Sequence, residues 1–158
     1  MAIVILCVDD DRTLLQALRS LLSHSLGRDC RVEIAESGDE ALELLDEVAG
    51  EGDEVGVVFA DYIMPRMRGD ELLVRLHARH PGMVKIMLTG QSDFGGVKRV
   101  INEANLYRFI EKPFVNADLV LTARAALQGR QREVALHAEI ATLRQRLAAL
   151  EQPQPATP

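Results

Sequence analysis

Five short apolar runs, each closed by a polar signal, constrain the fold of this chain more than any other feature. Ile3-Val4-Ile5-Leu6-Cys7-Val8 ends on Asp9-Asp10, Val55-Gly56-Val57-Val58-Phe59-Ala60 on Asp61, and Val84-Lys85-Ile86-Met87-Leu88 on Thr89-Gly90. Tyr107-Arg108-Phe109-Ile110 leads to Lys112-Pro113, and Arg31-Val32-Glu33-Ile34 to a weaker Ala35-Glu36-Ser37-Gly38. Strands buried on both faces read as such runs. Between them the spacing turns helical. Leu14, Leu15, Leu18, Leu21, Leu22 and Leu26 recur at three- and four-residue steps until Gly27. Ser37 and Glu40 form a capping-box pattern ahead of Ala41, Leu42, Leu44, Leu45 and Val48. A third helix follows Gly69, with Leu72, Leu73, Leu76 and His77 inward, and stops before Pro81-Gly82. A fourth, Asp93 to Ala104, carries Gly95-Gly96 near its start, which predicts a loose first turn. The fifth begins near Asn116, read as its N-cap, and passes through Leu119 and Leu127. Strand and helix alternate five times with no hairpin signal between strands. That order predicts an α/β fold: a five-stranded parallel sheet, doubly wound, with right-handed crossovers.

At 158 residues the chain has room for one domain and a modest extension. Residues 1–120 carry 21 acidic and 13 basic side chains, and 121–158 carry 3 and 5. The acidic body argues against direct nucleic-acid binding, and the tail is too short and too mixed in sign to supply it. Cys7 and Cys30 form neither a disulfide framework nor a zinc spacing. No apolar run approaches the length of a membrane span and no leader pattern precedes the first strand, so a cytoplasmic protein without a membrane contact is expected.

From Leu136 the pattern changes again. Leu136, Ile140, Leu143, Leu147 and Leu150 step by four, three, four and three, a heptad seam. Upstream the same register meets Glu133 and Gly129, so the seam is expected to start after the domain's last helix, which ends near residue 127. The 128–151 stretch reads either as an amphipathic helix folded back on the domain or as a short coiled coil that pairs two copies, and the spacing favours the homodimer. Residues 152–158 hold three prolines and read as a disordered tail or linker.

The polar signals converge because ligands of open α/β sheets bind beyond the carboxyl ends of the strands. Crowded carboxylates at Asp9, Asp10 and Asp61 repel one another, and a divalent cation resolves the conflict. Few, hard oxygen ligands with room for water and phosphate oxygens suit Mg²⁺. A carboxylate there can act as a nucleophile toward a phosphoryl group. Lys112 and the cation would neutralise the equatorial oxygens, and the Thr89 hydroxyl could donate a hydrogen bond to one of them.

These residues identify a resemblance. Ile5-Leu6-Cys7-Val8-Asp9-Asp10-Asp11, Asp61-Tyr62-Ile63-Met64-Pro65-Arg66-Met67-Arg68-Gly69, Leu88-Thr89-Gly90 and Glu111-Lys112-Pro113-Phe114 make residues 1–127 resemble the receiver domain of bacterial two-component response regulators. The resemblance implies a flavodoxin-like sheet of order 2-1-3-4-5. It implies Asp61 as phosphoacceptor, charged from a sensor histidine kinase or phosphotransfer protein, with only the protein's own phosphorylation and dephosphorylation catalysed. Asp10 would hold Mg²⁺ directly, Asp9 through water, and the Ile63 carbonyl would complete the set with Asp61. Thr89 and Lys112 would hold phosphoryl oxygens, and the Lys112-Pro113 bond would be cis. Thr89 and Phe109 would form the switch, with Phe where Tyr is more usual. Ile63 and Gln91 would tune hydrolysis; an apolar Ile63 cannot orient water, so a long-lived aspartyl-phosphate is expected. The 105–109 stretch is similar to receivers joined to HD-GYP-type or NtrC-like output domains.

Two alternatives stand beside this reading. Asp9-x-Asp11-x-Thr13 formally fits the motif of HAD-type phosphohydrolases, but the further acidic pair after the lysine is missing and Asp61 is left unexplained. The other alternative is a receiver-like interaction module that works without phosphorylation.

Overall fold

The computed structural model describes residues 1–27, 30–90 and 94–153, Phe94 by its backbone only. In chain order the elements are β1 (Ile3–Val8), α1 (Arg12–Leu26), β2 (Arg31–Ala35), α2 (Gly38–Gly50), β3 (Glu54–Asp61), α3 (Gly69–Arg79), β4 (Val84–Thr89), α4 (Phe94–Glu103), β5 (Arg108–Glu111) and α5 (Asn116–Glu151). The strands form one sheet of order β2-β1-β3-β4-β5, every pairing parallel, as the alternation and the resemblance predict.

Strand periodicity divides the core in two. Val4, Leu6 and Val8 of β1 and Val58 and Ala60 of β3 face α2, α3 and α4, where they meet Leu45, Leu72, Leu76 and Val100. Ile3, Ile5 and Cys7, with Val57 and Phe59, face the opposite way onto Leu15, Leu18 and Leu22 of α1 and Leu119, Ala123 and Ala126 of α5. Because both faces are covered, β1 is buried at all six positions, which is why its sequence is an unbroken apolar run. Cys7 and Cys30 are free and buried, and burial pushes the Cys7 thiol up to about 12.

Helix ends follow local chemistry where the sequence supplies it. The Asp11 carboxylate accepts from Leu14 N at 3.2 Å and caps α1, while Gly27 takes φ 83° just past its end. Ser37 Oγ accepts from Glu40 N at 3.1 Å, and the Glu40 carboxylate reaches back to Glu36 N, one residue before the expected cap. Asn116 is not a cap: it is the first helical residue, and Val115 holds the cap position without a side-chain bond. The expected start of α4 at Asp93 lies outside the described residues, as do residues 154–158 of the tail. The largest departure is at the end of the domain. No break separates the last helix from the seam, since α5 runs continuously for 36 residues.

One strand residue runs against the sequence pattern. Lys85 of β4 is 1% exposed, and its Nζ donates to the Met83 carbonyl at 2.7 Å. Burial first, then the charge of Arg130, lowers its ammonium from 10.5 to about 8. The unfolded chain keeps this proton to higher pH than the folded one. The penalty is therefore full below pH 8, and stability rises between pH 8 and 10.5. Lys85→Met is expected to stabilise the protein at pH 7 by about 1–3 kcal/mol, an advantage that shrinks toward pH 10.5. Urea unfolding midpoints across that range check both parts.

Candidate functional site

Each polar signal lands at the same edge of the sheet. Asp9 follows β1 and is 1% exposed, Asp61 closes β3 at 8%, Thr89 closes β4 at 2%, and Lys112 follows β5. Asp10 stands beside them, exposed. Carboxylate oxygens of Asp9, Asp10 and Asp61 lie within 4.8 Å of one another. Lys112 Nζ bridges the two buried acids, 2.8 Å from Asp9 Oδ2 and 3.1 Å from Asp61 Oδ1. The other Asp9 oxygen accepts from Asp11 N at 2.9 Å, which fixes the carboxylate from the loop side.

Charge is not balanced in this cluster. Burial raises the Asp61 carboxyl above its usual range, the Asp9 charge raises it further, and Lys112 only partly offsets them. Burial by itself would lower the Lys112 ammonium, but its hydrogen bond to Asp9 and the charges of Asp61 and Asp9 outweigh that and raise it. With all four groups ionised, three carboxylates face one ammonium. A small divalent cation with oxygen preference fits the remaining double negative charge.

Ile63 lies in the loop beyond Asp61, 61% exposed. Phe109 is turned outward at 41%, beside a groove of about 660 Å³ that it lines with Tyr107, Val115 and Asp118. The Lys112-Pro113 bond is cis. Gln91 lies outside the described residues.

Comparison with known proteins agrees with this geometry. The profile of the response regulator receiver domain matches residues 5–124. The chain belongs to that family. It is 32% identical over 84% of its length to the hydrogenase transcriptional regulatory protein HoxA of Cupriavidus necator, covering 26% of that protein. It is 34% identical over 78% of its length to the transcriptional regulatory protein CpxR of Escherichia coli, covering 49% of it. The receiver thus spans about a quarter and about half of these two relatives. Among solved structures, the signal receiver domain of an HD domain-containing protein from Pseudomonas fluorescens Pf-5 superposes with a TM-score of 0.73 at 32% identity. The match covers 84% of this chain and 99% of that one. Among the described residues, no helix of this receiver is long and apolar enough to cross a membrane.

Three supports of the site escape sequence reasoning. Tyr62, next to Asp61, lays its ring where a Cβ on Gly96 would be, so Gly96 is the seat of an aromatic ring as well as a weak helix former. The guanidinium of Arg68 lies over the same ring, 5.5 Å from its centroid. Asp70, 2% exposed in the first turn of α3, faces Arg99 of α4 at 3.3 Å and so ties the two helices together. The Gly-Gly pair was a visible signal; its partner was not.

Gly69 has the tightest seat against backbone. Its N–H donates to the Tyr62 carbonyl at 2.8 Å, and a Cβ there would overlap the Asp61 carbonyl oxygen. That neighbour is backbone at the end of a buried strand and cannot swing away. Gly69→Ala is therefore expected to destabilise the receiver by about 1–3 kcal/mol, read as a lower urea midpoint at an unchanged slope.

Proposed function

We propose that this receiver accepts a phosphoryl group on Asp61 in a Mg²⁺-dependent reaction in the cytoplasm. The donor is the phosphohistidine of a sensor histidine kinase or phosphotransfer protein. The observation that carries this reading is the bridge from Lys112 to both Asp9 and Asp61. A single cation is held between two buried carboxylates at the mouth of the sheet, where an incoming phosphoryl group could take over one of its partners.

An Asp61 carboxylate oxygen attacks phosphorus. The new P–O bond forms as the P–N bond to the donor imidazole breaks, and the bonding pair leaves with that nitrogen. Lys112 turns from carboxylate to phosphoryl oxygen, so that its charge meets the negative charge spread over the equatorial oxygens. Thr89, at the end of β4, donates its hydroxyl to another of them. Asp10, Asp9, Asp61 and the Ile63 carbonyl would hold Mg²⁺, which when bound supplies the positive charge that three crowded carboxylates and a phosphate require. Movement of Thr89 and inward rotation of Phe109 then carry the change to an output domain or partner. The chain catalyses only the gain and loss of its own phosphoryl group, and its acidic body leaves nucleic acid to other domains or proteins.

The phosphohydrolase alternative needs Asp11 in the site as its second acid. The Asp11 carboxylate is instead engaged at the N-terminus of α1, accepting from Leu14 N, which favours the receiver chemistry.

Incubation with acetyl phosphate and Mg²⁺ should produce a slower band on a phosphate-retarding gel. Chelation of the metal or Asp61→Asn should remove it. An unshifted wild type would leave only the phosphorylation-independent module, and a shifted Asp61→Asn would place the nucleophile elsewhere. Ile63 exposes an apolar side chain that cannot orient water. Ile63→Asn should therefore shorten the lifetime of the phosphorylated band several-fold, followed after removal of acetyl phosphate.

A further inference from the structure

Past the sheet, α5 keeps its stripe and loses what it packed against. Leu119, Thr122, Ala123, Ala126 and Leu127 are buried by the domain. Continued by sevens, Leu119 and Ala126 lead to Glu133, Ile140 and Leu147, and Thr122 leads to Gly129, Leu136, Leu143 and Leu150. Val134 still packs on the core, but every residue from Ala135 to Glu151 is exposed. Leu136, Leu143, Leu147 and Leu150 are each more than half exposed. The fold-back alternative is not what the structure adopts: the helix runs straight out of the domain.

Arg130 fixes where it leaves. Its side chain occupies the space that a Cβ on Gly56 or Gly82 would need. Its Nε donates to Glu54 Oε1 at 2.7 Å at the foot of β3, and its Nη1 lies 3.4 Å from Glu133. The domain thereby holds the first exposed turn in one direction.

We infer that the stripe from Leu136 to Leu150 is an interface with a second copy of this chain, paired parallel and in register as a short two-stranded coiled coil. Leu136, Leu143 and Leu150 take the d positions and Ile140 and Leu147 the a positions; Leu at every d with a β-branched Ile140 at a suits two parallel strands. The flanking charges select the partner. Glu139 and Arg146 fall at g, and Arg144 and Glu151 at e. In a parallel pair each g residue meets the e residue five positions on in the other helix. Glu139 of one copy then faces Arg144 of the other, and Arg146 faces Glu151, so each charge finds its opposite in both directions. An antiparallel pair with its core in register sets Glu139 against Arg146 but Arg144 against His137, leaving half of the complementarity unused. Upstream, Glu133 at a and Gly129 at d end the seam where the domains begin, since two Glu133 side chains would meet across it. This inference does not rest on the phosphoryl-transfer reading.

Sedimentation equilibrium of the whole chain over a range of concentrations tests it. The wild type is expected to approach twice 17.5 kDa as concentration rises. Leu143→Glu should stay monomeric throughout, with circular dichroism showing that the domain remains folded. Glu139→Arg and Arg144→Glu each turn an attractive pair into a repulsive one in both directions, so each should weaken self-association about tenfold. An equimolar mixture of these two variants restores both pairs and should recover the wild-type mass. A wild type that is monomeric at every concentration overturns the proposal. So does a Leu143→Glu variant that still dimerises, which would place the contact elsewhere. Arg144→Glu self-associating like the wild type would overturn the parallel arrangement.

Discussion

Lys112 holds two buried carboxylates that would otherwise repel each other, and the arrangement of the rest of the receiver serves that contact. Asp9 and Asp61 meet because β1 and β3 are neighbours in the sheet, and Lys112 reaches them from the far side of β4. No local sequence signal could bring residues 9, 61 and 112 together. The parallel topology does, because it places every carboxyl end at one edge. The contact is also incomplete. Burial and then the Asp9 charge keep Asp61 above its usual carboxylate range even with Lys112 at 3.1 Å, so a single ammonium does not offset the two. A site left short of positive charge in this way is suited to recruit a cation.

The support around this edge is mostly backbone and ring rather than charge. Gly69 closes against the carbonyl of Asp61, and Tyr62 rests on Gly96 of α4. Each is a place where the absence of a side chain lets two elements approach closely. Any shift of Asp61 is felt directly at the start of α3 and, through Tyr62, at α4. Asp70, next to Gly69 at the start of α3, joins the same two helices through Arg99. The site and the helices that flank it are thus connected by packed contacts, without need of a flexible link.

The strands and the site edge were legible in the sequence because they depend on local pattern. β1 is an unbroken apolar run since both of its faces are covered, and Asp11 and Ser37 cap helices through bonds to residues three further along. What stayed hidden depends on distant parts of the chain. Lys85 looks like a solvated lysine until β4 is placed between β3 and β5 inside a covered sheet. Arg130 looks like one of several tail arginines until Gly56 and Gly82 are found to leave its seat. Gly95-Gly96 signals weak helix propensity, and only the fold adds that Gly96 carries the ring of Tyr62. Val115 caps α5 with no side-chain bond, which explains why Asn116 was the more attractive choice from sequence.

The division between domain and extension is the subtlest case. Sequence periodicity separates a last helix from a later seam, whereas the structure has a single helix whose one stripe changes partners. Up to Leu127 the stripe is covered by the domain, and beyond Val134 none of the described residues covers it. Between them, Gly129 and Glu133 occupy positions that would be apolar if either mode of packing continued, and Glu133 pairs with the arginine that anchors the helix. The polar interruption is therefore where the helix passes from one kind of packing to the other. A helix held this firmly at the foot of β3 carries the orientation of the sheet outward, so the angle between two paired helices would be set by how each receiver grips its own. The grip and the carboxylate cluster lie at opposite ends of β3, and Glu54 and Asp61 are the first and last residues of that strand.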